Sequence, residues 1–157
     1  MPTSIPALVG AACLAILTPG LVAAQDCAGT PSGARLLITI DDVHGAAGLM
    51  TATLYGGDGA GWLKSNGALK VWRDPARASV TTMCIWLPGP GTYALAVYHD
   101  ANSNKKLDIG ALGPTEAYGF SNNPRILLSP PSYTKAKFEA QEGDTNIHVR
   151  LHHPGGA

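Results

Sequence analysis

The stretch RLLITIDDVHGAAGLMTATLY, Arg35–Tyr55, decides the fold class of this chain. Apolar residues recur at every second position through Arg35–Asp41 and again through Gly48–Tyr55, which is typical of half-buried β-strands. The short, turn-rich segment Asp42–Gly45 separates the two runs. We therefore predict two strands joined as a hairpin at the start of an all-β domain.

The same pattern continues along the chain. Ser79–Leu87 is rich in β-branched and aromatic residues, and the turn-forming segment Pro88–Gly91 separates it from an alternating run that leads to His99. These segments predict a second hairpin. The other predicted strands are Thr145–Leu151 and, more weakly, Ala68–Arg73 and Ala136–Glu139.

Turn-forming residues are abundant, with 19 glycines and 12 prolines among 157 residues, and no long helical stripe is visible. Short strands with frequent turns favour an antiparallel sandwich over an α/β fold. We predict a single antiparallel β-sandwich of about seven strands, of the immunoglobulin or transthyretin type, over residues 35–153. Residues 25–34 would then be an amino-terminal linker and residues 154–157 a tail.

The first 24 residues have the pattern of a cleavable signal peptide. They contain no charged side chain, Ala7–Leu17 is apolar, and the small residues Val22 and Ala24 fit a cleavage site before Gln25. The apolar run is shorter than the ~20 residues that span a bilayer. We predict a periplasmic or secreted domain with no membrane contact after cleavage. An uncleaved anchor is the alternative, because no Lys or Arg precedes the apolar run.

Charge and cysteine content limit the partners and the compartment. The chain has 11 Lys and Arg against 11 Asp and Glu, so no large basic field is available to bind nucleic acid. Cys27 and Cys84 follow the predicted signal peptide, and an even pair in an oxidising compartment predicts a disulfide. The alternative is a buried free thiol at Cys84.

The segment HDANSNKKLD, His99–Asp108, has the spacing of a cation-binding loop. Oxygen-bearing side chains recur at alternate positions, and Ca²⁺ takes about six to eight oxygen ligands. We expect weak Ca²⁺ binding, with a dissociation constant of about 10⁻⁴ to 10⁻³ M. The candidate ligands are Asp100, Asn102, Asn104, the backbone carbonyl of Lys106, Asp108 and, farther along the chain, Glu116.

This loop departs from an EF-hand at two positions. Lys105 stands where Gly permits the sharp turn, and Ala111 stands where a bidentate Glu completes the shell. The alternative is that Asp100, Asn102 and Asn104 accept hydrogen bonds from their own loop backbone in Asx turns, without an ion. The sequence leaves both interpretations open.

The segment YGFSNN, Tyr118–Asn123, also has two interpretations. Its rings and amides could contact a sugar or a peptide. We favour the other interpretation, in which the rings close the open end of the sandwich and the polar side chains satisfy loop backbone groups. The terminal histidines are not expected to share a transition metal, because strand positions four apart, such as His148 and His152, lie about 13 Å apart.

Several separated motifs resemble one family. They are LPGPGTYALAVYHDANSNKKLD, AYGFSNN, SPPSYTKAKFEA and TNIHVRL, and they span roughly Leu36 to Leu151 in this order. The chain thus resembles the bacterial exported family of unknown function DUF2141. The resemblance implies an exported transthyretin-like or immunoglobulin-like sandwich, and it assigns no catalytic residue. This chain differs from the family pattern at Lys105 and in the segment IGALGPTE that follows Asp108.

The sequence favours an interaction or structural role over catalysis. It contains no G-x-S-x-G elbow, no H-E-x-x-H pair and no phosphate-binding Gly loop. We expect an exported module that meets a protein or glycan at the cell exterior, with Ca²⁺ as the candidate cofactor. The alternative is a small hydrolase that uses His99 with the carboxylates of Asp100, Asp108 and Glu116.

Overall fold

The computed structural model describes Met1, residues 26–127 and residues 129–155. Apart from Met1, the predicted signal peptide lies outside the described residues. The fold is all-β, with 48% of the described residues in strands and 3% in helix. Within the described ranges, no helix has the length and the apolar character needed to cross a membrane.

Ten strands and one single-turn helix are present in the described chain. Each of the seven predicted strands overlaps an observed strand, and the short strands β6, β7 and β8 are additional. The elements are β1 (Ala34–Val43), β2 (Leu49–Gly56), β3 (Lys70–Pro75), β4 (Ser79–Trp86), β5 (Gly91–Asp100), β6 (Ile109–Gly110), β7 (Gly113–Pro114), β8 (Tyr118–Phe120), α1 (Tyr133–Ala136), β9 (Lys137–Ala140) and β10 (Gly143–Arg150).

The strands form two main sheets and one small ribbon. The three-stranded sheet has the order β10-β1-β4, and the five-stranded sheet has the order β3-β2-β5-β8, with β9 also paired to β5. The ribbon consists of β6 and β7. Buried residues from both main sheets form one hydrophobic cluster, so the arrangement is sandwich-like, and none of the sheets formed by the described residues is closed.

Strand β1 shows why alternation predicted the buried faces correctly. Leu36, Ile38 and Ile40 are at most 1% exposed, whereas Leu37 and Thr39 are half-buried. Burying a side chain of this size contributes about 1.5–3 kcal/mol. The buried face of β1 therefore stabilises the contact between the sheets, as the spacing predicted.

Both predicted hairpins are wrong. Strand β1 pairs with β10 and β4, whereas β2 pairs with β3 and β5, so the chain crosses between the sheets after β1. Strands β4 and β5 also lie in different sheets. A strand with one buried face shows the same alternation of apolar and polar residues whether its neighbour in sequence lies in the same sheet or in the facing sheet. The alternation therefore does not identify the partner strand.

The sheets are also not purely antiparallel, which corrects a second prediction. Strand β10 runs parallel to β1 over eight paired positions, from Ala34 with Gly143 to Asp41 with Arg150. The first and the last long strands of the domain are therefore neighbours. This pairing brings the residues that follow β10 to the end of β1.

The segment before β1 is attached to β4. Cys27 and Cys84 form a disulfide, with their Cα atoms 4.5 Å apart. The backbone N–H of Ala28 donates to the carbonyl of Cys84, and that of Trp86 donates to the carbonyl of Ala28, each over 2.9 Å. This part of the predicted linker is thus paired with the three-stranded sheet.

Candidate functional site

Asp100 anchors the loop that leaves the end of β5, which we call the Asp100 loop (residues 100–116). Its side chain is fully buried, and its two oxygens accept backbone N–H bonds from Asn104 (2.9 Å) and Lys105 (2.7 Å). Lys105 has a φ of 65° and Ser103 a φ of 59°. The buried carboxylate therefore holds non-glycine residues in a left-handed conformation that they rarely adopt.

Glu116 closes the Asp100 loop from its other end. Its Oε1 accepts the backbone N–H of Ala101 over 3.0 Å, and its Oε2 accepts that of Asp108 over 3.1 Å. The backbone N–H of Thr115 in turn donates to the carbonyl of Asp108 over 2.8 Å. One carboxylate therefore bridges the beginning and the middle of the loop.

The two loop asparagines complete the network. The Nδ2 atoms of Asn102 and Asn104 donate to the two carboxylate oxygens of Asp108, over 2.7 and 2.8 Å. Their Oδ1 atoms accept the backbone N–H groups of Asn104 (3.0 Å) and Lys106 (2.8 Å). The structure therefore joins in one network the four residues that the spacing singled out and Glu116, the fifth candidate side chain, and the asparagines form the Asx turns of the ion-free interpretation.

This network determines what Ca²⁺ binding would require. Every carboxylate and amide oxygen of the five side chains already accepts an N–H bond. Each of these oxygens keeps a second lone pair for an ion, and Ca²⁺ would compete with the Nδ2 groups of Asn102 and Asn104 for the carboxylate of Asp108. Within the described ranges, the carboxylates of Asp100, Asp108 and Glu116 do not form a group whose ligand atoms all lie within 4.8 Å of one another. Ca²⁺ binding by this loop stays a prediction.

An apolar groove of about 460 Å³ lies beside the Asp100 loop. Its floor includes Thr53, Tyr55 and Tyr98 of the five-stranded sheet. Side chains alternate between the faces of a strand, so Thr53 and Tyr55 lie on the face opposite Leu54, which belongs to the main core. The groove is therefore on the outer face of this sheet. None of the described residues that line it is charged.

Large apolar side chains are exposed at the edge of this groove. Ile109, Leu112 and Leu127, which we call the apolar rim, are 65%, 105% and 69% exposed. Ile109 lies in β6, and Leu112 lies in the turn between β6 and β7. The hydrogen bonds of Asp108 and Glu116 fix the base of this ribbon. Two rim residues are thus held in solvent by the Asp100 loop.

The polar half of YGFSNN bonds to backbone groups, as we favoured, but these groups lie in strands and α1 rather than in loops. Ser121 is fully buried, its Oγ donates to the carbonyl of Ala136, and it accepts the N–H of Leu95. Asn122 and Asn123 donate to backbone carbonyls of β9 and β10, over 2.7 and 2.9 Å. These three side chains join β8 to its neighbours.

The two rings of YGFSNN do not close the end of the sandwich. Tyr118 and Phe120 belong to a second hydrophobic cluster with Trp62, separate from the main core, and both line the groove. Burial raises the pKa of Tyr55 and Tyr118 above the ordinary tyrosine value. At neutral pH these phenols are uncharged, so the groove offers hydroxyl groups without charge.

His99 is bonded to backbone. It is 8% exposed, and its Nε2 lies 2.7 Å from the carbonyl oxygen of Ala47. A carbonyl only accepts, so this nitrogen carries the proton. The hydrolase alternative requires His99 beside a carboxylate in an open pocket, and these contacts do not supply that arrangement.

The structure also forms a cluster that sequence reasoning missed. The Nε2 of His153 lies 2.7 Å from the backbone oxygen of Asp42, which is 111 positions away in the chain. The ring of His153 stacks on that of His44, with centroids 3.5 Å apart. Only the pairing of β1 with β10 reveals this proximity. The other terminal histidines lie elsewhere, with His148 against the carboxylate of Asp41 and His152 against the ring of Tyr118.

Comparison with known proteins gives one match. A family model described as an uncharacterized protein conserved in bacteria (DUF2141) matches residues 38–148. No curated protein and no solved structure matches the chain. The matched range contains most of both main sheets, the whole Asp100 loop and the apolar rim.

Proposed function

Because this chain belongs to DUF2141, a family of uncharacterized bacterial proteins, its function has to be argued from its own residues, and we propose that it is an exported protein-interaction module. The groove and the apolar rim would form its contact surface. The partner would be a protein segment that presents apolar, uncharged side chains.

The exposure of the apolar rim is the observation that carries this proposal. Single exposed apolar residues are normal, whereas a contiguous exposed apolar patch is typical of interaction sites. Leu112 and its two rim neighbours surround a concave surface without charge. The groove alone has the volume of a small-molecule site. A small ligand inside it would leave the rim in water, whereas a protein segment would cover both.

The Asp100 loop supports the same role through its rigidity. Ordering a loop or a side chain on binding costs free energy, so a surface held in place before contact binds more tightly. Asp100 and Glu116 fix the ribbon that carries Ile109 and Leu112 through backbone hydrogen bonds. The loop thus presents Ile109 and Leu112, two of the three rim residues, without a separate folding step.

Export is part of the proposal. The uncharged, largely apolar first 24 residues support it. The Cys27–Cys84 disulfide is compatible with it, because disulfides persist in the periplasm and outside the cell. The finer fold type, an immunoglobulin-like or transthyretin-like sandwich, is likewise proposed, with the shared core of the two main sheets in support.

Weak Ca²⁺ binding by the Asp100 loop is a second proposal. It is supported by the single network that joins the oxygens of Asp100, Asn102, Asn104, Asp108 and Glu116. The carbonyl of Lys106 would be the sixth ligand. An ion there would stabilise the base of the rim, so the two proposals concern the same surface.

Site-specific photo-crosslinking tests the interaction role. A photoreactive phenylalanine analogue replaces Leu112 in the full chain, which is produced in a bacterium that exports it. We expect a discrete protein adduct that disappears when Leu127→Asp is added to the same chain. Leu127 is exposed, so this substitution should change the free energy of unfolding by no more than about 0.5 kcal/mol.

The control places the same analogue at Val80, an apolar residue of the other main sheet that is 43% exposed. We expect no matching adduct there. The proposal fails if position 112 gives no adduct, if Val80 gives the same one, or if the adduct survives Leu127→Asp. If the adduct consists of two copies of this chain, the surface mediates self-association and not binding to a different protein.

A further inference from the structure

We propose that Asp42, His44 and His153 form a binding site for a divalent transition metal ion, with two imidazole ligands and one carboxylate. One ligand atom from each side chain lies within 4.8 Å of the other two. In residues 26–127 and 129–155, this is the only group of three or more His, Cys, Asp or Glu side chains with that spacing. The site lies apart from the Asp100 loop and does not depend on the proposed interaction role.

The fold brings the three residues together at the end of β1. Strand β1 has a bulge at Asp42, where its register against β4 shifts and φ is 65°. A bulge re-aims the side chain of its extra residue. His44 follows two positions later. The N–H of Leu151 donates to the carbonyl of Asp41 over 3.1 Å, so the chain continues beside β1 and places His153 next to Asp42.

The hydrogen bonds of His153 prepare it as a ligand. Its Nε2 lies 2.7 Å from the backbone oxygen of Asp42, and this oxygen only accepts, so Nε2 carries the proton. The lone pair of the neutral ring is then on Nδ1. Metal-binding imidazoles typically donate their other N–H to a carbonyl or a carboxylate in this way, which fixes the ring orientation.

The contact between His44 and Asp42 has the separation of two ligands on one ion. The Nε2 of His44 lies 3.2 Å from the Oδ1 of Asp42. Zn²⁺ with bonds of about 2.0–2.2 Å to nitrogen and oxygen places tetrahedral ligands about 3.3 Å apart. An ion can therefore replace the proton of this hydrogen bond without moving the two atoms apart.

One ring must turn before both imidazoles bind the same ion. The rings of His44 and His153 stack with an angle of 6° between their planes. Lone pairs lie in the ring planes, so those of parallel rings do not meet at one point. The side chain of His44 is 67% exposed, so its ring can rotate without disturbing the core.

The donor set indicates the class of metal. Imidazole with carboxylate suits Zn²⁺, Cu²⁺ and Ni²⁺, whereas Ca²⁺ prefers a shell of oxygens. Three protein ligands on an exposed site leave at least one coordination position open to water or to an external ligand. The proposed site therefore differs in chemistry from the predicted Ca²⁺ loop.

Calorimetric titration with Zn²⁺ tests this site in the full chain, purified without a histidine tag. We expect one ion per chain. His44→Ala and His153→Ala each remove a direct ligand, so affinity should fall by at least the roughly 10–100-fold that loss of an outer-shell partner costs. The matched control is His148→Ala. His148 is exposed and paired with the neighbouring Asp41, so this variant should bind Zn²⁺ as tightly as the unmodified chain.

Electron paramagnetic resonance of bound Cu²⁺ provides a readout that a purely structural role would not change. We expect hyperfine coupling from two imidazole nitrogens, and from one in His44→Ala. His44 is exposed, so that variant should keep its near-UV circular dichroism. The proposal is overturned if no Zn²⁺ or Cu²⁺ binds saturably, if His44→Ala binds as tightly as the unmodified chain, or if His148→Ala loses as much affinity as His153→Ala.

Discussion

The Asp100 loop and the turn after Asp42 (residues 42–45, the Asp42 turn) both begin with an aspartate at the end of a strand, but they use its carboxylate differently. Asp100 is fully buried, and its oxygens bond the backbone of its own loop. Asp42 is exposed and faces two imidazoles, one of them 111 positions away. The regular spacing thus identified side chains that accept hydrogen bonds from their own loop backbone. The cluster of Asp42 with two histidines instead arises from the pairing of β1 with β10.

The two regions should differ in how much a substitution lowers the free energy of unfolding. The Asp100 loop should be sensitive to small changes, because its hydrogen bonds hold a buried charge. The Asp42 turn should tolerate equivalent changes at its polar and glycine positions, because the side chains of Asp42 and His44 are exposed. Matched substitutions in the two regions test this difference.

Two glycines provide the comparison with the largest expected effect. A Cβ at Gly48 would lie 2.0 Å from the carbonyl oxygen of Asp100, and its φ is 77°. A Cβ at Gly45 would meet nothing within 4 Å. Gly48→Ala should therefore destabilise the domain by about 3 kcal/mol or more, because it combines a backbone clash with a left-handed conformation. Gly45→Ala should change stability by less than about 1 kcal/mol.

Urea unfolding followed by tryptophan fluorescence measures both variants. Equal stability of Gly48→Ala and Gly45→Ala would mean that the backbone of the Asp100 loop gives way easily. The loop would then not be the rigid support that the proposed interaction surface needs.

The two aspartates provide the next comparison. Asp100→Asn keeps the shape but places an amide group against one of two backbone N–H donors, so we expect a loss of about 2–3 kcal/mol. Asp42→Asn should stay within about 0.5 kcal/mol, because the side chain is exposed and Asn tolerates a positive φ. The same urea experiment compares them. A larger loss at Asp42 than at Asp100 would reverse the proposed contrast.

Ca²⁺ provides the smallest expected effect. With a dissociation constant of about 10⁻⁴ to 10⁻³ M, about 10 mM Ca²⁺ should raise the free energy of unfolding by about 1.4–2.7 kcal/mol. Asp108→Asn should remove most of this increase. Thermal unfolding measures this increase, with the same concentration of Mg²⁺ as the control. If neither ion shifts the midpoint, or if both shift it equally, the hydrogen bonds alone hold the loop.

The strands were predictable because each needs one buried face. The alternation of Leu36, Ile38 and Ile40 predicted the inner face of β1, and all seven predicted strands overlap observed ones. Strand pairing was not predictable from these patterns. Two connections that looked like hairpins cross between sheets, and the parallel pairing of β1 with β10 has no local signal.

In the candidate sites, too, local contacts were predictable from the sequence and long-range contacts were not. The spacing of Asp100, Asn102, Asn104 and Asp108 identified residues that share one hydrogen-bond network, because they lie within one tight loop. It did not predict which atoms would donate. The cluster of His153 with Asp42 depends on a contact across 111 positions, and a histidine near the end of a chain gives no sign of its distant neighbour.

The parallel pairing of β1 with β10 also determines how the domain would respond to a mechanical load. The chain enters at the start of β1 and leaves at the end of β10, so a pull on the two ends slides these neighbouring strands along each other. Such shear stretches the hydrogen bonds of all eight paired positions together, whereas peeling would break them one at a time. The Cys27–Cys84 disulfide passes part of the tension to β4, the other neighbour of β1. Under such a load the domain would resist extension through strands in shear rather than through strands that peel apart.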